Sequence, residues 1–235
     1  MVLMQILSSK QRWFAAKAAI WVAVLIPAAR LIFRGVRDEL GANPIEEVIH
    51  QTGWWGILLL TITLAITPVR HLTGWHRIIR FRRVLGLFAF FYVSLHLAAY
   101  VVLDQWFAFE FILEDISERP FITVGFAAWL ILLALAVTST RGWIGRLRGN
   151  WRRLHRLVYL AAGFAALHFF WNVKADTLEP LVFGSAISLL LAMRAPALRR
   201  TRSTPRPDRS TIPAREMRPP SRPSGSPRPI NQAER

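Results

Sequence analysis

Long apolar runs alternate with short, strongly charged segments along this chain. Six runs come close to the ~20 residues needed to cross hydrocarbon as a helix, at about 13–33, 53–69, 84–103, 120–138, 155–173 and 178–195. Trp13, Trp54, Trp55, Trp106 and Trp171 fall near their ends, as aromatic residues do at a membrane–water interface. Lys17 and Arg30 lie near the ends of the first run, where long side chains reach the interface. That run is too long for a signal-peptide core and has no small-residue cleavage site, so it is read as a helix. The pattern predicts an all-α, polytopic membrane helix bundle of about six transmembrane helices.

The charges between the runs orient the bundle. Arg70, Arg77, Arg80, Arg82 and Arg83 crowd 70–83 without an acid, and Arg141, Arg146, Arg148, Arg152 and Arg153 crowd 141–153. Between them, 104–119 carries Asp104, Glu110, Glu114, Asp115 and Glu118 against Arg119, and 174–179 sets Asp176 and Glu179 against Lys174. Only the loop 34–51 is mixed. Basic segments stay on the cytoplasmic side, so both termini are expected inside and the acidic loops outside.

Composition agrees. The 235 residues are 53% hydrophobic and carry a formal charge of +16. The basic residues sit in short loops and one tail, not on a folded face interleaved with stacking aromatics, so no nucleic-acid partner is expected. The absence of cysteine excludes disulfides, thiolate catalysis and iron–sulfur ligation. Residues 199–235 hold eight of the chain's 14 prolines and ten arginines with almost nothing apolar. They read as a disordered cytoplasmic tail beside a transmembrane domain at 1–198, and either stay solvated or meet anionic membrane lipid. The sequence shows no internal repeat.

Two histidines interrupt apolar runs, and ionisable groups inside a membrane span are costly and by default functional. His96 lies twelve residues into the third run and His168 thirteen into the fifth, both counted outward from the cytoplasmic side. At ~1.5 Å per residue that is roughly 18 and 19.5 Å, so the two are nearly level. A bis-imidazole b-type haem requires such a pair, and neutral imidazole suits iron. Alternatively, each histidine hydrogen-bonds a neighbouring helix, or the pair titrates in a small transporter or proton relay. His155, at the cytoplasmic edge of the fifth run, sits about 140° from His168 on an ideal helix, and its level counterparts on the third run are Arg83 and Val84. His155 could contact a cofactor's acidic group or cap the helix. His50, His71 and His76 read as solvated loop residues.

Three blocks carry more specific information: TPVRHLTGWHRIIRFRRVLGLFAFFYVSLHL over 67–97, RPFITVGFAAWLILLALAVTST over 119–140 and WRRLHRLVYLAAGFAALHFFWNVKAD over 151–176. Together they resemble the MsrQ (YedZ) family within the ferric-reductase-like transmembrane superfamily, over roughly 10–195. The resemblance implies a haem-binding subunit of the bacterial inner membrane with His96, His155 and His168 as the haem-associated, metal-ligating histidines. It implies one haem b, or two if His155 finds a partner, and an association with FMN for which no residue is matched. It implies electron transfer from a cytoplasmic flavin reductase, a nicotinamide-linked donor or quinone to a periplasmic molybdopterin-dependent methionine-sulfoxide reductase. Arg82, Arg83, Arg152 and Arg153 are candidates for anionic cofactor groups, although the positive-inside pattern alone accounts for them. No G-x-G-x-x-G loop is present, so the chain is read as a non-catalytic electron conduit of an oxidoreductase system.

Overall fold

The computed structural model describes residues 9–173 and 177–200. The expected disordered tail lies, from residue 201 onward, outside the described residues. Within them the fold is all-α: α1 (Ser9–Val36), α2 (Pro44–Thr73), a 3-10 turn (His76–Phe81), α3 (Arg82–Ala99) running into a π turn (Tyr100–Asp104), α4 (Phe109–Glu118), α5 (Pro120–Val137), α6 (Arg141–Leu147), α7 (Gly149–Leu154), a 3-10 turn (His155–Leu157), α8 (Val158–Asn172) and α9 (Leu178–Arg200). The chain divides into two compact units, Met1–Ala195 and Pro196–Arg235.

Among the described residues, four stretches are long and apolar enough to cross a membrane: Trp13–Val36, Pro44–Thr73, His76–Asp104 and Pro120–Val137. The expected fifth span is a 15-residue α-helix, because His155–Leu157 form a 3-10 turn in front of it. At about 120° per residue through that turn, the offset between His155 and His168 falls from about 140° to roughly 80°. The second span begins earlier than the apolar run suggests, at Pro44. Asn43 caps it by accepting from the Glu46 amide at 3.3 Å, and Pro44 occupies the first turn, where no amide hydrogen is needed. The left-handed Gly74 (φ 68°) ends it, donating its amide to the Arg70 carbonyl. His50 and His71 therefore lie on α2, and His76 opens the 3-10 turn; all three are exposed, but they are not the loop residues expected from the sequence.

Two hairpins, α2 against α3 and α5 against α8, make the closest packing. Leu59, Leu60, Leu64, Ala89, Tyr92, Ala161, Ala162 and Ile187 are essentially inaccessible between them. Large apolar side chains such as Trp21, Ile32, Leu130, Leu160, Leu181 and Leu189 instead face outward, more apolar surface than a water-soluble monomer leaves exposed and what lipid requires.

Two prolines inside spans are accommodated by distant side chains. At Pro27 of α1 the helical ladder opens, and the Tyr92 hydroxyl enters it, accepting from the Ala28 amide (3.2 Å) and donating to the Val24 carbonyl (2.6 Å). Pro68 of α2 has no amide hydrogen to offer the Leu64 carbonyl one turn earlier. Arg194 of α9 donates to that carbonyl instead, at 2.6 Å. The acidic loop also holds structure that the charge pattern did not suggest. Helix α4 packs on α5, with Ile112 and Asp115 buried, Tyr100 donating to Asp115 at 2.6 Å, and Arg119 paired with Asp115 at 3.0 Å.

A paired-imidazole site between two helix hairpins

His96 on α3 and His168 on α8 face each other with ring centroids 6.0 Å apart and ring planes at 79°. The two are held alike. The Nδ1–H of His96 donates to the Ile49 carbonyl on α2 at 2.9 Å, and that of His168 donates to the Phe121 carbonyl on α5 at 2.7 Å. Both bonds span 47 residues. One turn after each carbonyl stands a glycine against the imidazole. A Cβ on Gly53 would lie 3.0 Å from Nδ1 of His96, and one on Gly125 would lie 2.6 Å from Nδ1 of His168. Each hairpin thus supplies a histidine, a carbonyl that fixes its tautomer, and a glycine that lets the ring approach the opposite helix. The repeat is one of geometry, which is why sequence comparison within the chain does not register it.

With Nδ1 committed to a carbonyl, Nε2 holds the free lone pair, and no partner is recorded for either Nε2 among the described residues. Hydrogen bonding by the far nitrogen is how metal-ligating histidines are oriented and made more basic. Two imidazole–metal bonds of about 2 Å, plus about 1 Å from each nitrogen to its ring centre, place ligand centroids about 6 Å apart. The observed 6.0 Å matches that span. Among the described residues no three His, Cys, Asp or Glu side chains gather around a common point, so the pair does not build an all-protein metal cage. It suits an iron that brings its own equatorial ligands, as haem does. The Phe121 ring lies 6.1 Å from that of His168, and elsewhere on α3 and α5 Phe126 (5.9 Å) and Phe90 (6.4 Å) stack on Trp129, which donates to Ser94 at 3.1 Å.

His155 stands apart from this pair, half-buried near the other end of α8. It stacks on Trp151 at 4.1 Å, and its Nε2 lies 3.2 Å from the Thr138 hydroxyl. Arg82, Arg83 and His155 line one cleft with Thr63, Gly86 and Ser139, so the Arg83 level with His155 in sequence is also its neighbour in space. Arg152 and Arg153 are exposed and do not line that cleft. Sequence reading missed the Ile49 and Phe121 carbonyls and the two glycines, since nothing in an apolar run announces which backbone a remote ring will touch. It also passed over Arg194, a cation inside the last apolar run.

A membrane helix bundle with a paired, part-buried imidazole site is accompanied by likeness to the ferric-reductase-like membrane proteins. The family model for the ferric reductase like transmembrane component matches residues 52–166, a segment that contains α3, α5 and most of α8. Several relatives extend the likeness to nearly the whole bundle. The chain is 50% identical to the protein-methionine-sulfoxide reductase heme-binding subunit MsrQ of Xanthomonas euvesicatoria pv. vesicatoria (strain 85-10), over 82% of this chain and 94% of that one. It is 51% identical to the subunit of the same name from Rhodospirillum rubrum, over 83% of this chain and 94% of the relative. No solved structure matches. The chain belongs to the MsrQ family.

Proposed function

We propose that this chain is the haem-carrying electron conduit of a methionine-sulfoxide reductase system, in which His96 and His168 would hold one b-type haem. The observation that carries the reading is the matched suspension of the two imidazoles: each Nδ1 pinned to a carbonyl, the rings 6.0 Å apart. Six helices cross a bacterial inner membrane with both termini cytoplasmic, because the basic segments 70–83 and 141–153 then lie inside and the acidic segment 104–119 outside. Helix α8 and the turn before it serve as the fifth crossing, and α9 as the sixth.

When bound, haem supplies a carrier of one electron at a time. Reduction of a methionine sulfoxide to methionine and water takes two electrons and two protons, so the conduit delivers two electrons in succession to its partner. The chain's residues hold and insulate that carrier. The Ile49 and Phe121 carbonyls keep both rings in the Nδ1–H tautomer, and Gly53 and Gly125 keep the rings close to the helices that bear those carbonyls. The apolar runs around them leave both rings only partly exposed. His155, with Arg82 and Arg83 at the cytoplasmic side, is placed to meet the acidic groups of a cofactor or to serve a second haem; Arg152 and Arg153 add to the positive field there. The donor is a cytoplasmic flavin- or nicotinamide-linked reductase or membrane quinone, and the acceptor a periplasmic molybdenum-containing reductase.

The test is an absorption spectrum of the full-length protein purified after expression with ample haem. A Soret band with low-spin α and β bands is expected, and acidified organic solvent should extract the pigment, since no C-x-x-C-H attachment motif is present. A colourless, folded protein would remove the electron-transfer reading and favour a proton relay through the two histidines.

A further inference from the structure

At the basic end of the bundle, well away from the histidine pair, two arginines lie near one tyrosine hydroxyl. Arg194, only 7% exposed, donates from one terminal nitrogen to Tyr159 Oη at 2.8 Å, and its carbon lies 5.3 Å from the centre of that ring. Arg82 shares a cleft with Val158, the neighbour of Tyr159, and lies close enough to Tyr159 and Arg194 to feel both electrostatically. Among the described residues no carboxylate answers them. The ion pairs among the described residues, Arg34–Glu47, Arg37–Glu39 and Arg119–Asp115, all lie at the opposite ends of the helices.

The donors outnumber the acceptors. Arg194 spends one terminal nitrogen on the Leu64 carbonyl and one on Tyr159, leaving its buried Nε without a partner. The Tyr159 oxygen accepts from Arg194, and its own proton has no acceptor among the described residues. Arg70 Nε and Thr67 Oγ1 are likewise buried without partners, at three-residue steps from Leu64 along one face of α2. Two neighbouring cations and a hydroxyl donor, partly desolvated, call for an oxyanion: buried charges are otherwise paired, and guanidinium pairs match the geometry of phosphate oxygens. Arg82 is only half-buried and lines the open cleft beside His155, so an anion reaches the cluster through it.

We infer that Arg82, Tyr159 and Arg194 form an anion site for a phosphate group, either a lipid headgroup phosphate or a soluble phosphate compound entering at the basic end. The inference narrows the proposed role of the basic cleft to one of its arginines and adds Tyr159 and Arg194. It needs neither the haem nor its ligands.

The experiment follows thermal unfolding of the full-length, detergent-washed protein by tryptophan fluorescence, a readout that does not depend on haem. Inorganic phosphate is titrated in one arm and a short-chain phosphatidylglycerol in the other, each against sodium chloride at equal ionic strength. The midpoint is expected to rise with phosphate or with the lipid but not with chloride, the responding arm identifying the source. Arg82→Gln should weaken the response at least about tenfold, the loss of one charge-assisted contact, with Arg82→Lys between. Arg194→Lys, which also disturbs the Leu64 carbonyl, is judged only alongside these. A wild-type midpoint that moves with neither probe, or an Arg82→Gln protein that responds like wild type, overturns the site.

Discussion

Replacing Gly125 by alanine tests the histidine suspension with a single carbon atom. The new Cβ would lie 2.6 Å from Nδ1, 2.9 Å from Cε1 and 3.0 Å from Cγ of His168. Comfortable contact needs about 3.5 Å, so the ring must withdraw by nearly 1 Å. Metal–ligand distances tolerate about 0.2 Å, and the 2.7 Å bond from Nδ1 to the Phe121 carbonyl would stretch in the same movement. Losing such an orienting partner costs about 10–100-fold in metal affinity, on top of about 1–3 kcal/mol for overpacking. The expected outcome is a shift from low-spin to high-spin haem, read in the visible and electron paramagnetic resonance spectra, with pigment lost on dilution. Gly53→Ala places its Cβ 3.0 Å from His96 Nδ1, so the ring shifts by only a few tenths of an ångström less than that of His168 and the effect should be in the same direction but smaller. Gly163→Ala, with nothing within 4 Å of its Cβ, is the control and should leave the spectrum unchanged. A fully low-spin Gly125→Ala protein would refute the argument that this glycine sets the ring position.

His96→Ala and His168→Ala should each abolish the low-spin signal, whereas His155→Ala should have a different and partial effect; loss of all haem on removing His155 with none on removing His96 would reverse the pairing. Tyr92→Phe should lower stability by about 1–3 kcal/mol, because the Ala28 amide and Val24 carbonyl beside Pro27 lose the hydroxyl that joins them; the shift of the thermal midpoint measures it, with the haem spectrum unchanged at low temperature. Truncation after Arg200 should leave the spectrum and outward electron transfer intact, as 201–235 has no apolar periodicity with which to pack; a truncated protein that binds haem but accepts no electrons from the cytoplasmic donor would show that the tail docks it.

Helix content, membrane character and the two histidines were legible in the sequence because each depends on local chemistry. An apolar run near 20 residues has few alternatives to a membrane helix, and an imidazole inside one stands out wherever the helix packs. Counting residues along two helices even placed His96 and His168 at similar depth, since the helical rise is fixed. What the tertiary structure alone decided is who faces whom. The Ile49 and Phe121 carbonyls come from backbone that looks like any other in sequence, yet they set the tautomer of both rings. Gly53 and Gly125 matter only because another helix passes within van der Waals distance. The breaks at Pro27 and Pro68 were visible as residues, but their repair by Tyr92 and Arg194 joins positions 68 and 130 residues from the carbonyls they serve. Periodicity fixes which side of a helix is apolar, whereas the partner that completes a hydrogen bond is set by packing between segments remote in the chain.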